Sequence, residues 1–343
     1  MLKKFLAILL AVLSCGICTA CAGSSKDGGK SESPKYTFPK KENVVNDRQY
    51  YTGIDEVSFP SELWSAPLFE RAPEYDRQEL GVQAYFLQSV DYNGAPTHVF
   101  AFVGMPSGAT AENPVPGVVL VHGGGGTAFA DWVKMWNDRG YAAIAIDTEG
   151  KIPNADASLS SGSGQSFEST KHHGPENTGY KDSSEPVSEQ YLYHAIAGTI
   201  VASSFLSSFE QVDSAKIGLT GISWGGVIAT NAAAYDDRFA FAVPVYGAVG
   251  MTDTDKSFGA LYEAYPRASY LWDNVEMLSS CRTPMLFVNW ENDEFFAVEG
   301  TEKCASTAIN AEMILIPSLG HSHAHGASIE EIFVFAADAV AVP

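Results

Sequence analysis

The sequence predicts an α/β fold with a mostly parallel central sheet, helices on both faces and an N-terminal antiparallel hairpin. From residue 118 onward, short apolar runs alternate with longer helical stretches, an order typical of parallel strands joined by right-handed crossovers. Before them, Asn93-Gly94 separates two β-rich segments, which indicates a hairpin. The 343 residues are 45% hydrophobic and 18% charged, so a large core can form and global disorder is excluded.

Each element follows from its local pattern. The hairpin strands alternate loosely between apolar and polar residues, whereas the inner strands are continuous apolar runs, as expected when both faces are buried. Residues 149–186 are polar and rich in Gly and Ser, and we expect this insertion to cover the site. In chain order, strands are predicted at 82–90, 97–103, 118–121, 142–146, 216–220, 239–245, 285–290 and 312–316, and helices at 127–139, 187–208, 224–235, 297–308 and 328–341, with an irregular stretch at 248–283.

The N-terminus has the features of an export signal. Lys3-Lys4 precede the apolar run 5–13, which is too short to span a bilayer as a helix. Small residues and three cysteines follow, so residues 1–21 resemble a bacterial lipoprotein signal peptide. Cys21 is the first choice for the lipidated residue, and Cys15 is the alternative. An ordinary secretory signal with incidental cysteines is the simpler interpretation.

Residues 22–45 are rich in Gly, Ser, Lys and Pro and are predicted to be a flexible linker. Residues 46–343 then form the catalytic domain, and the protein is expected to be exported and held at a bacterial cell surface or membrane. Contact with a membrane is expected only through the N-terminal lipid anchor. Cys281 and Cys304 remain in the domain, either as a disulfide or as buried thiols.

Charge excludes one class of partner. The formal net charge is −20, and residues 1–45 contain seven lysines against three acids, so the predicted domain is more acidic than the whole chain. Binding of nucleic acid requires a basic face that neutralises phosphates, so no nucleic-acid partner is expected. Neutral substrates suit such a body better than polyanions.

Gly221-Ile222-Ser223-Trp224-Gly225 lies between a predicted strand and a predicted helix of small residues. In that context the G-x-S-x-G pattern indicates a nucleophile elbow, in which a tight turn presents the serine Oγ. The helix amino end also favours negative charge that develops near Ser223. A Gly-rich turn with an incidental serine is the simpler alternative.

Two further loops follow strand ends and complete the chain order Ser, Asp, His. Asp293 follows strand 285–290, and His321 follows strand 312–316. His321 would accept the proton of Ser223, while Asp293 would orient the imidazole and stabilise its cation. Glu291 and Glu294 are neighbours that could replace Asp293.

The alternating His321, His323 and His325 permit other interpretations. Such tracts often bind metals, and an extended segment would point all three rings to one side. No second ligand cluster is evident, so neither a metal nor a cofactor is predicted, although a metal-dependent hydrolase stays an alternative. His323 is the second choice for the general base.

The glycines 123–126 follow His122 directly after strand 118–121. A tetrahedral intermediate needs preorganised N–H donors, and glycines allow the backbone to approach a substrate closely. The amides of Trp224 and Gly124 are the predicted oxyanion hole, with Gly123 or Gly125 as alternatives to Gly124. A phosphate-binding loop is disfavoured because neither G-x-G-x-x-G nor Gly-Lys-Ser/Thr occurs here.

These segments resemble α/β-hydrolases of the acetylxylan-esterase and dienelactone-hydrolase type, which are also similar to the catalytic domain of prolyl oligopeptidases. The resemblance covers roughly residues 80–343 and rests on VLVHGGGG, GISWGG, WEND and LGHSH. It implies the α/β-hydrolase fold, a Ser223–His321–Asp293 triad and an oxyanion hole at Trp224 and Gly124. The three alternating histidines depart from the usual esterase pattern.

The expected function is hydrolysis of short-acyl esters, acetyl above all, on small esters or acetylated glycans. Trp272 lies in the irregular stretch where lid elements are usual, and aromatic faces pack on sugar rings, although they also fill cores. His172 lies in the insertion that we expect to cover the site, and both residues are predicted substrate contacts. The alternatives are a dienelactone-hydrolase-like or peptidase-like serine hydrolase, and a catalytically silent surface binding module.

Overall fold

The computed structural model of the protein describes residues 56–161 and 166–341. The predicted signal peptide, Cys21 and the linker lie outside these residues, and so they stay predictions. Within the described ranges, no helix combines the length and the apolarity needed to cross a membrane.

The described chain begins with antiparallel strands and continues in strand–helix alternation. The strands are β1 (Phe69–Arg71), β2 (Val82–Tyr92), β3 (Ala95–Gly104), β4 (Val115–Val121), β5 (Ala142–Ile146), β6 (Lys151–Pro153), β7 (Ser166–Glu168), β8 (Val212–Ile222), β9 (Ala242–Val245), β10 (Met285–Asn289) and β11 (Ala311–Leu315). The helices are α1 (Ala130–Asn137), α2 (Tyr191–Leu206), α3 (Trp224–Tyr235), α4 (Ser257–Ala264), α5 (Pro266–Trp272), α6 (Val298–Thr307), α7 (His323–Ala327) and α8 (Glu330–Ala341).

One sheet organises the domain. Its strand order is β1-β2-β3-β5-β4-β8-β9-β10-β11, and the strands from β5 to β11 along this order are parallel. Val121 at the end of β4 pairs with Ile146 of β5 and with Gly221 of β8. Val245 of β9 pairs with Val288 of β10. The carboxyl ends of these strands are therefore level, and the loops that follow them meet at one edge.

A hydrophobic core lies on each face of the sheet because side chains alternate along a strand. In β4, Val119 and Val121 belong to the core that contains α2 and α3. Val118 and Leu120 point the other way, into the core that includes Trp136 of α1 and residues of α8. The mostly parallel α/β fold with its initial antiparallel strands is therefore confirmed.

The structure adds elements that the sequence pattern did not indicate. The stretch 248–283 contains α4 and α5, which are too short for a clear apolar period, and Pro266 begins α5 because proline is tolerated at a first helical position. In the insertion, β6 and β7 pair as a small antiparallel ribbon. Cys281 and Cys304 are free buried thiols, which settles the disulfide alternative.

Candidate active site

Ser223 occupies the turn between β8 and α3 in a strained backbone conformation, with φ 58° and ψ −120°. Its N–H donates to the carbonyl of Val245 at 2.9 Å, which ties the turn to the neighbouring strand. A Cβ added at Gly221 would collide with the carbonyl of Gly225, and one added at Gly225 would collide with the carbonyl of Val121. Only glycine fits at both positions, which explains why the sequence has this motif here.

The side chains of Ser223, His321 and Asp293 form one hydrogen-bonded chain. The His321 Nε2 lies 2.7 Å from Ser223 Oγ, and its Nδ1 lies 2.7 Å from Asp293 Oδ2. A carboxylate only accepts hydrogen bonds, so Nδ1 of His321 carries the proton. The neutral ring then accepts from the serine hydroxyl through Nε2. The structure thus brings together the three residues expected from the sequence, in the orientation that proton transfer from serine requires.

Asp293 is buried and held on both oxygens. Its side chain is 1% exposed. Oδ2 also accepts from Trp290 Nε1 at 2.8 Å, and Oδ1 accepts from the amides of Phe295 and Phe296 at 2.9 and 2.8 Å. Burial by itself raises the pKa of this carboxyl, but the hydrogen bond and charge of His321 and the two amides outweigh it and lower the pKa. Asp293 therefore stays ionised.

The acidic neighbours of Asp293 are placed differently. Glu291 and Glu294 are exposed. The structure brings neither of them into a hydrogen bond with His321, whose Nδ1 partner is Asp293. The choice among the three acids was open in the sequence, and the geometry favours Asp293.

The imidazole of His321 is enclosed by aromatic rings. The rings of Tyr246 and Phe295 lie 4.4 and 4.6 Å from it, measured between ring centroids. The Tyr246 hydroxyl donates to the carbonyl of Ser322, which fixes the loop that carries His321. Ring contacts therefore hold the imidazole of His321, and the hydrogen bond to Ser322 holds the adjacent backbone.

The three alternating histidines do not share one side, contrary to the expectation for an extended segment. Ser322 caps helix α7, which begins at His323. His321 contacts Ser223, His323 accepts a hydrogen bond from the Gly123 amide at 2.9 Å, and His325 is exposed. Within the part of the chain that the structure describes, no three His, Cys, Asp or Glu side chains are placed to hold a metal ion.

The glycine loop lies against the elbow, since a Cβ at Gly123 would come within 2.9 Å of the Ser223 Cβ. Its amides differ in what they bind. Gly123 donates to His323, Gly125 donates to Glu149 Oε1 at 2.9 Å, and Gly126 donates to the Gly123 carbonyl at 2.9 Å. Among described residues 56–161 and 166–341, the Gly124 amide is the one of these four without a partner. The amide of Trp224 opens α3, where a helix leaves its first N–H groups unbonded.

Of the two predicted substrate contacts, the structure contradicts one. Trp272 is 1% exposed, and its Nε1 donates to Gln190 Oε1 at 2.8 Å. A side chain so buried has no surface for a substrate, so this prediction is wrong and Trp272 is a core residue. The hydrogen-bond partner of its indole N–H, Gln190, is buried and distant in the sequence.

His172 lies against the β2–β3 hairpin. Its ring Nε2 donates to the Tyr92 carbonyl at 3.0 Å, and its own carbonyl accepts from the His98 amide at 2.8 Å. The structure does not bring it into hydrogen-bond contact with Ser223 or His321. A role for His172 in substrate binding stays a prediction.

Sequence reasoning missed residues that build the site. From the insertion, Tyr180 packs on Trp224 with ring centroids 5.4 Å apart, and its hydroxyl contacts Tyr262 at 2.6 Å. Trp290 supports Asp293, and Glu149 holds the glycine loop. The one available indication was position, because Trp290 directly follows β10 and Glu149 comes three residues after the end of β5, both at the carboxyl edge.

Two family models match this chain. The family model of acetyl xylan esterase matches residues 62–251, and that of the prolyl oligopeptidase family matches residues 185–338. A search of curated proteins finds no significant match.

Solved structures are similar in fold at low identity. The acetyl xylan esterase from Paenibacillus sp. R4 has a TM-score of 0.59 at 18% identity, over 78% of this chain and 91% of that chain. Acetyl xylan esterase 1 from Thermoanaerobacterium sp. JW/SL YS485 has a TM-score of 0.53 at 15% identity, over 77% of this chain and 89% of that chain. A 2,6-dihydroxy-pseudo-oxynicotine hydrolase has a TM-score of 0.51 at 16% identity, over 80% of this chain and 68% of that chain.

The family model covers more than half of the chain and includes the glycine loop and the elbow. The prolyl oligopeptidase family model covers residues 185–338, which include Asp293 and His321. The chain therefore belongs to the acetyl xylan esterase family of α/β-hydrolases and is a serine hydrolase of carboxylic esters.

Proposed function

We propose that the protein is an exported, surface-anchored esterase that removes short acyl groups, acetyl above all, from carbohydrate esters through Ser223, His321 and Asp293. The observation that carries the proposal is the continuous hydrogen-bonded chain from Ser223 Oγ to Asp293, with 2.7 Å at both contacts of His321. The family match supports acetyl as the acyl group.

The reaction follows from the positions of these groups. Ser223 Oγ attacks the ester carbonyl while His321 Nε2 takes its proton, and ionised Asp293 stabilises the imidazolium. The carbonyl oxygen becomes an oxyanion that accepts from the amides of Trp224 and Gly124. His321 returns the proton to the departing alcohol. A water molecule then attacks the acyl-enzyme with the same base, which frees the acid and Ser223.

The surroundings of the nucleophile support a short acyl group. The Trp224 ring is partly buried among Tyr180, Tyr191 and Phe258, with centroid distances of 5.4, 6.2 and 5.1 Å. Aromatic rings packed in this way hold the side chain of Trp224 rigidly. Because Trp224 directly follows Ser223 in the chain, we expect this rigid packing to leave room for a small acyl group rather than for a long chain.

The charge of the protein and its N-terminus support the substrate class and the location. A net charge of −20 disfavours polyanionic substrates and is compatible with neutral acetylated glycans. Lipidation at Cys21, with Cys15 as the alternative, would hold the enzyme where extracellular glycans are met.

Hydrolysis of 4-nitrophenyl acetate, butyrate and octanoate by the purified protein, beside the Ser223→Ala variant, tests the proposal. We expect turnover to fall from acetate to octanoate, to resist a chelator and to disappear in the variant. Full activity of Ser223→Ala would sink the assignment of the nucleophile. An acetylated xylan oligosaccharide then tests the carbohydrate.

A second candidate is peptide hydrolysis, which the prolyl oligopeptidase match over residues 185–338 favours. Cleavage of aminoacyl 4-nitroanilides faster than of 4-nitrophenyl acetate would support it. A catalytically silent binding module would be indicated by folded protein that neither turns over an ester nor labels with a fluorophosphonate.

A further inference from the structure

His323 lies next to the proposed catalytic residues but has a different partner. The Gly123 N–H donates to its Nε2 at 2.9 Å. Because an N–H needs a lone pair, Nε2 is unprotonated and the neutral ring carries its proton on Nδ1. Burial, with the neighbouring His122 and His321, lowers the pKa of His323 to about 3, so the ring remains an acceptor at neutral pH. His323 therefore anchors the glycine loop and is not placed to take the serine proton.

A second imidazole fixes the next peptide group. His122 Nδ1 lies 2.7 Å from the Gly123 carbonyl and donates to it, and the Gly126 amide donates to the same oxygen. Thr148 N–H donates to the other ring nitrogen of His122 at 3.0 Å. Asp147 Oδ2 lies 3.6 Å from this same nitrogen, and together with Glu149 it raises the pKa of His122 despite burial. The Nδ1 group donates to the Gly123 carbonyl whether or not His122 is protonated.

These anchors determine where the Gly124 amide points. The Gly123 carbonyl and the Gly124 N–H belong to one planar, trans peptide group, so they point in opposite directions. Binding the oxygen toward His122 and Gly126 directs the Gly124 N–H the other way, out of the loop. The preceding peptide is fixed through the Gly123 N–H on His323. With the residues on both sides of Gly124 held, its N–H has one orientation.

His323 also couples the loop to the proposed base. His321 and His323 are two residues apart on one short segment, and the Tyr246 hydroxyl holds the carbonyl of Ser322 between them. One ring contacts Ser223 and the other contacts Gly123, whose Cα lies beside the elbow. The proposed base and the glycine loop are thus positioned by the same few residues.

We propose that His323 is a positioning residue for the oxyanion hole: as a neutral acceptor for the Gly123 amide, it holds the loop so that the Gly124 N–H meets the oxyanion. The inference rests on the proposed function. It explains why the family-like segment LGHSH contains a second imidazole that the proton transfer does not use. His323 does not touch the reacting atoms and acts through Gly123.

The test compares His323→Leu, which removes the acceptor, with His323→Gln, which places an amide oxygen near the position of Nε2. Removal of one oxyanion-hole donor lowers kcat by about 10²–10³. A donor that is present but points in a wrong direction should lower kcat by a smaller factor. We expect kcat of His323→Leu on 4-nitrophenyl acetate to fall about 10- to 100-fold, with KM changed less than about threefold. Binding of phenylboronic acid, a mimic of the tetrahedral intermediate, should weaken by the same factor. His323→Gln should regain most of the loss.

His325→Gln is the matched control, because His325 belongs to the same tract but is exposed, and it should behave as the wild type. If His323→Leu does not fold, His323→Asn replaces it, since its shorter side chain cannot reach Gly123. Wild-type kcat in the folded Leu or Asn variant overturns the inference, as does an equal loss in His323→Gln. An inactive wild type that does not label with a fluorophosphonate is a different result, because it removes the proposed function itself.

Discussion

Replacing Asp293 with Asn tests how the charge of one buried carboxylate sets the protonation of the site. Asp293 accepts four N–H groups and donates none: Oδ2 faces His321 and Trp290, and Oδ1 faces the amides of Phe295 and Phe296. An Asn side chain has one oxygen and one NH2 group. The NH2 group must therefore face donors whichever way it turns.

The two orientations are not equal. Backbone amides cannot change their protonation, whereas His321 can move its proton from Nδ1 to Nε2. The Asn oxygen therefore keeps the two amides, and the NH2 group donates to His321 Nδ1. In that tautomer Nε2 carries the proton, so it cannot accept one from Ser223. A mismatch of this kind in a serine-protease triad lowers kcat by about 10⁴. We expect a loss of the same order here, equivalent to about 5 kcal/mol of transition-state stabilisation.

Stopped-flow or steady-state hydrolysis of 4-nitrophenyl acetate at neutral pH measures the loss. Glu291→Gln and Glu294→Gln are matched controls, because both neighbours are exposed and should keep kcat within about twofold. Thermal unfolding must show that Asp293→Asn is folded. If folded Asp293→Asn keeps a kcat within tenfold of the wild-type value, the reasoning about the tautomer is refuted. An equal loss of kcat in Glu291→Gln would assign the orientation of His321 to another acid.

Two further predictions concern stability. A Cβ at Gly225 would collide with the Val121 carbonyl. Gly225→Ala should therefore lower the free energy of unfolding, measured in urea, by about 3 kcal/mol or more. An unchanged midpoint of urea unfolding would contradict the backbone contact. Burial lowers the pKa of His194 to about 4 from about 6.5, so its stabilising contribution is complete above pH 6.5 and is lost as pH falls toward 4. The control is His194→Gln, which can keep the hydrogen bond to the Ser188 carbonyl. Relative to this variant, the free energy of unfolding of the wild type should fall by about 3 kcal/mol between pH 6.5 and pH 4. If the free energies of unfolding of the two proteins change in parallel with pH, His194 does not titrate in this way.

Much of this architecture could be predicted from the sequence, because its indications are local. Buried parallel strands are short apolar runs, and the glycines around Ser223 mark a turn that only they permit. The order Ser223, Asp293, His321 places all three after strands, whose carboxyl ends must meet at one edge. The structure then brings these residues within hydrogen-bond distance.

What could not be predicted depends on partners distant in the sequence. Trp272 looks like a surface aromatic until Gln190 is found on its indole N–H. The alternation of histidines suggested a shared side, but the cap at Ser322 starts a helix and turns His323 toward Gly123. The choice of Gly124 over its neighbours needed the positions of Glu149 and His323, neither of which any spacing reveals.

The elbow is built from backbone packed on backbone, and this limits how the enzyme can be re-engineered. A Cβ at Gly226 would meet the Gly247 carbonyl, and one at Gly247 would meet the Ser223 carbonyl. At a φ of 58°, a β-branched Thr is strained at position 223, whereas an unbranched Cys fits the same backbone more readily. Directed evolution toward larger acyl groups or thioesters therefore has to change residues outside the turn and to leave the turn itself unaltered.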